Sequence, residues 1–299
     1  MELKNKIQTI QNLIRVNSFS IAIANCKKLI KKYPTNSFIY NLCGLALQAD
    51  KKILESVEYF TKAIYYEPEN LAAMNNLANS YKALSKLSEA ENLYLQVIEK
   101  DPKNIKTLNN YGNLKQRFND FDSAINFYQK ALKIDNKNIN ILFSLASTYQ
   151  GIGKFDEAKK IINQILELDP NNTASHKLLS GFINYKDNQE HLNEMESLLK
   201  KNHLDSGKKI DLYFALGKAY EDLGNYNASF NNLNAANKLK NEKINYQILE
   251  DERTFNNIIK TFNDIDIESF KKLKSDKEII FICGMPRSGT TLVEQIIAS

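Results

Sequence analysis

Glycine and proline are scarce, with 10 and 5 residues in a chain of 299. So few turn-formers rule out collagen-like and Pro/Gly-linker classes and argue against a turn-rich β-sandwich or barrel. Cysteine is scarcer still. Cys26, Cys43 and Cys283 lie far apart in sequence, with no CxxC pair and no adjacent histidine, which argues against a disulfide framework or zinc knuckle and fits a reducing compartment. No uncharged apolar run approaches the ~20 residues that cross a bilayer. The first residues, MELKNKIQTIQNLIR, lack the apolar core of a signal peptide. A cytoplasmic protein without a membrane partner is expected. An excess of one charge is missing too: 40 Lys+Arg against 35 Asp+Glu leave a net +5 with no dense basic block, so no nucleic-acid partner is expected. What is present is 43% hydrophobic residues, enough to bury a core over about two domains' length.

Four of the five prolines carry a period. Pro34, Pro68 and Pro102 are 34 apart, Pro170 lies two periods further on, and Asn136 fills the skipped slot. Small residues follow the same spacing at Ala22, Ser56, Ala90, Ala124 and Ala158, and again at Gly44, Ala78, Gly112 and Ala146. Bulky residues follow it at Phe60, Tyr94, Tyr128 and Ile162. This period and order of residues resemble the tetratricopeptide repeat, a helix–turn–helix unit of 34 residues. On that register the units run 3–36, 37–70, 71–104, 105–138 and 139–172. The small residue of the first helix lets it approach the second, and Ala90 or Ala124 answers from the second helix. Tyr94 or Tyr128 fills the space beside the next unit, and proline closes the second helix. One unit cannot bury its apolar face alone, so stacked neighbours form the core and the array is expected to curve into a superhelix.

Residues 173–206 keep a helical period but lose the small-residue signature, and read as a degenerate helical repeat. The signature returns at 207–243, where Gly217, Tyr220, Ser229 and Ala236 occupy repeat positions. Residues 244–277 read as a capping helix (Tyr246, Ile248, Leu249, Phe255, Ile258, Ile259) followed by the polar linker KKLKSDKE. His176, His191 and His203 fall in or near the degenerate stretch with no i, i+4 pair, and read as non-ligands. Cys26 and Cys43 read as packing residues, and Cys283 as a small apolar residue of a buried strand.

The segment EIIFICGMPRSGTTLVEQIIAS, 278–299, changes character. An apolar run, a loop with Gly284, Pro286 and Gly289, and then Leu292, Val293, Ile296 and Ile297 at helical spacing make a strand–loop–helix. That is the layout of a phosphate cradle, with backbone N–H groups and a helix dipole facing an anion. The glycine spacing is that of a nucleotide-triphosphatase loop, but Thr290 stands where such a loop has lysine, which disfavours ATP or GTP hydrolysis. The string PRSGTTL resembles instead the 5′-phosphosulfate loop of sulfotransferases that use 3′-phosphoadenosine 5′-phosphosulfate (PAPS). The whole arrangement resembles bacterial tetratricopeptide-repeat proteins with a C-terminal sulfotransferase domain. The fold implied is an all-α superhelix followed by the first strand–loop–helix of a truncated α/β P-loop-like domain. The resemblance implies that Arg287, Ser288, Gly289, Thr290 and Thr291 hold PAPS as co-substrate. It also implies that Arg287 stabilises charge on the leaving group while sulfuryl passes to a hydroxyl acceptor, with no metal. A complete domain needs roughly 200 further residues, so this chain is expected to be an inactive fragment.

One array feature points to a partner. Asn41, Asn75 and Asn109 are 34 apart, and Asn79 and Asn113 lie one turn further along the same face. In superhelices of this family that face lines the concave groove, where an asparagine can bond a peptide backbone as donor and acceptor. An asparagine-rich composition gives the same alignment by coincidence. Two functional classes follow: a sulfotransferase whose repeats present a protein or other large acceptor, and a non-catalytic protein-interaction scaffold. A repeat-fused triphosphatase is disfavoured by Thr290.

Overall fold

The computed structural model describes residues 2–187, 189–201, 204–244 and 247–263. The chain divides into two compact units, residues 1–240 and 241–299. Among the described residues every regular element is a helix. The helices come in pairs: α1 (Glu2–Arg15) with α2 (Phe19–Lys32), α3 (Ser37–Ala49) with α4 (Ile53–Tyr66), α5 (Leu71–Ala83) with α6 (Leu87–Lys100). Then follow α7 (Ile105–Arg117) with α8 (Phe121–Leu132), α9 (Ile139–Gly151) with α10 (Phe155–Leu168), α11 (Thr173–Ser180) and α12 (Glu190–Leu199). The last are α13 (Ser206–Asp222), α14 (Tyr226–Ile244) and α15 (Ile248–Asn263). No described helix is long and apolar enough to cross a membrane.

Helices α3, α5, α7, α9 and α11 each begin at an asparagine. Asn36, Asn70, Asn104, Asn138 and Asn172 recur every 34 residues, and each side chain accepts from the backbone N–H three residues on. That satisfies one of the donors a helix start leaves without a partner. The second helices end where proline dictates. Tyr33, Glu67, Asp101 and Asp169 each precede a proline and take φ between −132° and −143°, because the ring disfavours helical backbone in the residue before it. After α8, where Asn136 stands in the proline's place, the helix ends two residues earlier, at Leu132, and its cap Lys133 has φ −64°. The turn inside each pair carries one left-handed residue: Asn17, Lys51, Ser85, Asn119 and Gly153, again 34 apart. Asparagine and glycine tolerate that conformation readily, whereas Lys51 and Ser85 adopt it at a cost.

Within each pair the repeated small and bulky residues meet. Ala22, Ser56, Ala90, Ala124 and Ala158 are fully buried, as are Phe60, Tyr94, Tyr128 and Ile162. A methyl on Gly44 would lie 2.5 Å from the Phe60 ring, and one on Gly112 would lie 2.6 Å from the Tyr128 ring. The bulky ring therefore lies first against the glycine of its own unit. It also reaches the next one, since Tyr94 lies 6.1 Å from Tyr111 between centroids, and Tyr111 lies edge-on to Phe127 at 4.6 Å. The apolar interior is thus a succession of clusters along the array, as expected where each unit contacts its neighbours.

The period breaks after α10. Helix α11 has only 8 residues and is followed by an irregular stretch that buries Tyr185 completely. In the second unit, the residues expected to form a cap include Ile248, Leu249, Phe255, Ile258 and Ile259 of α15, and none of them is buried. Tyr246, also expected there, lies outside the described residues. So does the strand–loop–helix expected at 278–299.

Candidate functional site

The first helices of successive pairs touch in order, α1 to α3, α3 to α5, α5 to α7 and α7 to α9, and so share one wall of the array. Asn41, Asn75 and Asn109 sit on this wall, on α3, α5 and α7. Asn41 and Asn75 are buried, and their carbonyl oxygens are in use. Asn76 Nδ2 donates to Asn41 Oδ1 at 2.9 Å, and Asn110 Nδ2 donates to Asn75 Oδ1 at 3.1 Å. Thr107 Oγ1 also donates to Asn75 Oδ1, at 3.2 Å. Asn79 and Asn113 serve their own units: the hydroxyls of Tyr94 and Tyr128 donate to their Oδ1 atoms at 2.6 and 2.7 Å. Asn41 and Asn75 therefore clasp neighbouring units, and Asn79 and Asn113 hold buried phenols, through their acceptor atoms, whereas the buried Oδ1 of Asn109 meets no hydrogen-bond donor among the described residues. The donors Asn76 and Asn110, themselves 34 apart, escaped the sequence reading although their spacing was visible. Replacing Asn75 with alanine removes an acceptor shared by two donors and should cost about 1–3 kcal/mol; urea denaturation checks this, and an unchanged midpoint would mean the clasp carries no stability.

What the wall offers a partner lies beside the asparagines. A cleft of about 550 Å³ between α1 and α3 has Ile14, Leu42 and Leu45 among its lining, with Gln11, Arg15 and Gln48 around them. Further along, Arg117 Nη1 donates to the Lys82 carbonyl at 2.7 Å. Burial, and then the Arg117 charge, lowers the Lys82 ammonium below its ordinary value. On the α6–α7 contact, Glu91 accepts from Lys115 at 2.7 Å and from the Tyr111 hydroxyl at 2.9 Å. The Lys115 contact holds the Glu91 carboxyl below its usual range.

The histidines require a correction. Read as scattered, His176 and His191 are brought together by the shortened α11 and the irregular stretch before α12. Their rings meet edge to edge, with planes 20° apart and centroids 5.1 Å apart, and His176 Nδ1 lies 2.9 Å from His191 Nε2. Burial, reinforced by His176, pulls His191 down to about 4, so its ring is neutral at pH 7. His203 lies outside the described residues. Cys26 and Cys43, distant in sequence, are also neighbours. Both are buried, and the Cys43 thiol beside it, with burial, pushes the Cys26 thiol up, the mark of an inert packed pair. Cys283, Arg287, Ser288, Gly289, Thr290 and Thr291 lie outside the described residues.

Comparison with known proteins agrees with this architecture. Sequence profiles described as tetratricopeptide repeat match residues 70–100, 93–126, 117–180 and 210–243. A tetratricopeptide repeat protein from Parabacteroides merdae ATCC 43184 superposes with a TM-score of 0.58 at 17% identity, covering 79% of this chain and 92% of that one. A thermophilic TPR protein of Thermus thermophilus gives 0.55 at 17% identity, over 60% of this chain and 98% of that one. PilF of Pseudomonas aeruginosa gives 0.53 at 17% identity, over 64% and 88%. At these identities the likeness is one of fold. An uncharacterized protein of Aquifex aeolicus (strain VF5) is 35% identical over 116 residues, 38% of this chain. The match spans only 15% of that protein's length. The profile matches end at residue 243, short of the 278–299 segment. With the capping asparagines and left-handed turn residues of successive helix pairs on one 34-residue register, and tetratricopeptide-repeat profiles matched within 70–180 and 210–243, the chain carries tetratricopeptide repeats.

Proposed function

We propose that the array is a protein-interaction scaffold that holds an extended segment of a partner along the wall formed by the first helices. The observation that carries this reading is the cleft between α1 and α3, where an apolar floor is flanked by Gln11 and Arg15, whose side chains can bond a backbone, while the Gln48 amide donates to Asn76 and Ser80 of the next unit. The inner asparagines contribute mainly by fixing the wall's geometry. The test is selection of binding peptides from a random display library, followed by affinity measurement on Leu45→Glu, which places a charge in the half-buried floor. The expected result is an enriched peptide class whose affinity falls tenfold or more in the variant while helicity is unchanged. Failure to enrich any class, or equal affinity for the variant, would overturn the reading.

A second reading rests on Pro286-Arg287-Ser288-Gly289-Thr290-Thr291-Leu292. In it, the repeats accompany a PAPS-dependent sulfotransferase activity. Arg287 binds the 5′-phosphate and Ser288 to Thr291 supply hydroxyl and backbone donors, as such a loop requires. Calorimetry on the natural gene product with adenosine 3′,5′-bisphosphate tests it. Arg287→Ala should remove a charge-assisted contact of ~1.5–3 kcal/mol and lower affinity at least tenfold. Tighter binding of ATP, strengthened by magnesium, would contradict it.

A further inference from the structure

His176 occupies the register position of Tyr40, Met74, Leu108 and Leu142, four repeats of 34 apart from Tyr40 itself. It even repeats a bond of that position. Tyr40 donates its hydroxyl to the Pro34 carbonyl at 3.1 Å, and His176 Nε2 lies 3.0 Å from the Pro170 carbonyl. A carbonyl only accepts, so His176 carries its proton on Nε2 and presents Nδ1 as a lone pair. That lone pair faces His191 Nε2 at 2.9 Å. The far nitrogen of His191, Nδ1, is in turn held by the Tyr185 hydroxyl at 2.7 Å. Both outer nitrogens are thus anchored on oxygen and both inner nitrogens converge, the arrangement in which outer partners orient imidazoles for a metal. Glu194, one turn beyond His191 on α12, completes the set. One ligand atom from each of the three residues lies within 4.8 Å of the others.

We propose that His176, His191 and Glu194 form a binding site for a divalent transition-metal ion, with zinc favoured by the donor set of two imidazoles and one carboxylate. At Zn–N distances of 2.0–2.1 Å, nitrogens at tetrahedral angles lie about 3.3 Å apart. The nitrogens therefore have to part by about 0.4 Å, and the rings have to turn so that both lone pairs point at the ion rather than along the hydrogen bond. Glu194 is exposed, so its side chain can turn inward. The three residues line an open cleft of about 1150 Å³, which gives the ion an entry path and leaves a fourth position for water. Proton balance is simple. The proton on His191 Nε2 moves to Nδ1 and stays there, the Tyr185 hydroxyl turns so that its oxygen accepts a hydrogen bond from the new N–H, and the ion takes the two inner lone pairs. The number of protons on the pair does not change.

The test is zinc titration of the full chain, stripped with chelator, by calorimetry, with cobalt as a visible-absorption probe of the coordination geometry. The expected result is one saturable zinc equivalent and a tetrahedral cobalt spectrum. Glu194→Gln, on the surface, should weaken zinc binding tenfold or more. His176→Leu installs the residue that two other units carry and should abolish binding while preserving helicity. Absence of a saturable equivalent, or unchanged binding in His176→Leu, would overturn the proposal and leave the pair as a hydrogen-bonded core contact.

Discussion

Replacing Tyr128 with alanine should destabilise the array by about 3–5 kcal/mol, the range for emptying a fully buried aromatic site. The ring is completely buried among Leu108, Ala124, Ala131, Ile141 and Leu145, so it joins its own unit to the one after it. It lies against Gly112, where there is no side chain to move in and fill the space. Its hydroxyl donates to Asn113 Oδ1 at 2.7 Å, and burial pushes the phenol up to about 12. Tyr128→Phe separates the contributions. It keeps the packing, frees an acceptor on a half-exposed asparagine, and should cost about 1 kcal/mol. Urea denaturation of the two variants beside the parent measures both, and equal losses would mean that the hydroxyl, not the ring, holds this interface.

The second large effect comes from adding atoms. In Gly44→Ala the new methyl would meet Phe60 at 2.5 Å, and in Gly112→Ala it would meet Tyr128 at 2.6 Å. Neither ring is the loose end of a flexible side chain, because both are fully buried. Overpacking of this kind costs about 1–3 kcal/mol per site. The two glycines belong to different units with a third unit between them, so the double variant should lose about the sum, roughly 2–6 kcal/mol. Ala78 beside Tyr94 shows that a unit can be set to accept the methyl, which argues for the lower half of that range. A double variant as stable as the parent would mean that the helices separate freely, and that the glycines are not what sets their approach.

The array itself was legible because its contacts repeat. One alanine against one tyrosine says little, but the same pairing at successive intervals of 34 says where both helices lie. The left-handed turn residues share that period and were not legible. Asn17, Lys51, Ser85, Asn119 and Gly153 have the same backbone conformation but no common side chain, so nothing in residue type announces it. The capping asparagines were hidden in an asparagine-rich chain. The inner asparagines were visible, but their bonds were not: whether Asn75 Oδ1 faces a partner or Asn110 depends on how the next unit is rotated. The histidine pair was invisible for a different reason. It forms where the period fails, through a helix of 8 residues and an irregular stretch, and a separation in sequence carries no meaning outside a regular element.

Hydrogen exchange on Tyr128→Ala and parent, resolved by helix, tests most directly the claim that the molecule is a stack of units held by nearest-neighbour contacts. In a stack, a lesion in one unit spreads to its neighbours and fades. Exchange should therefore accelerate in α7, α8 and α9 and stay near parent rates in α1 to α4. Uniform acceleration from α1 to α10 would contradict the account, since it would show a single cooperative core.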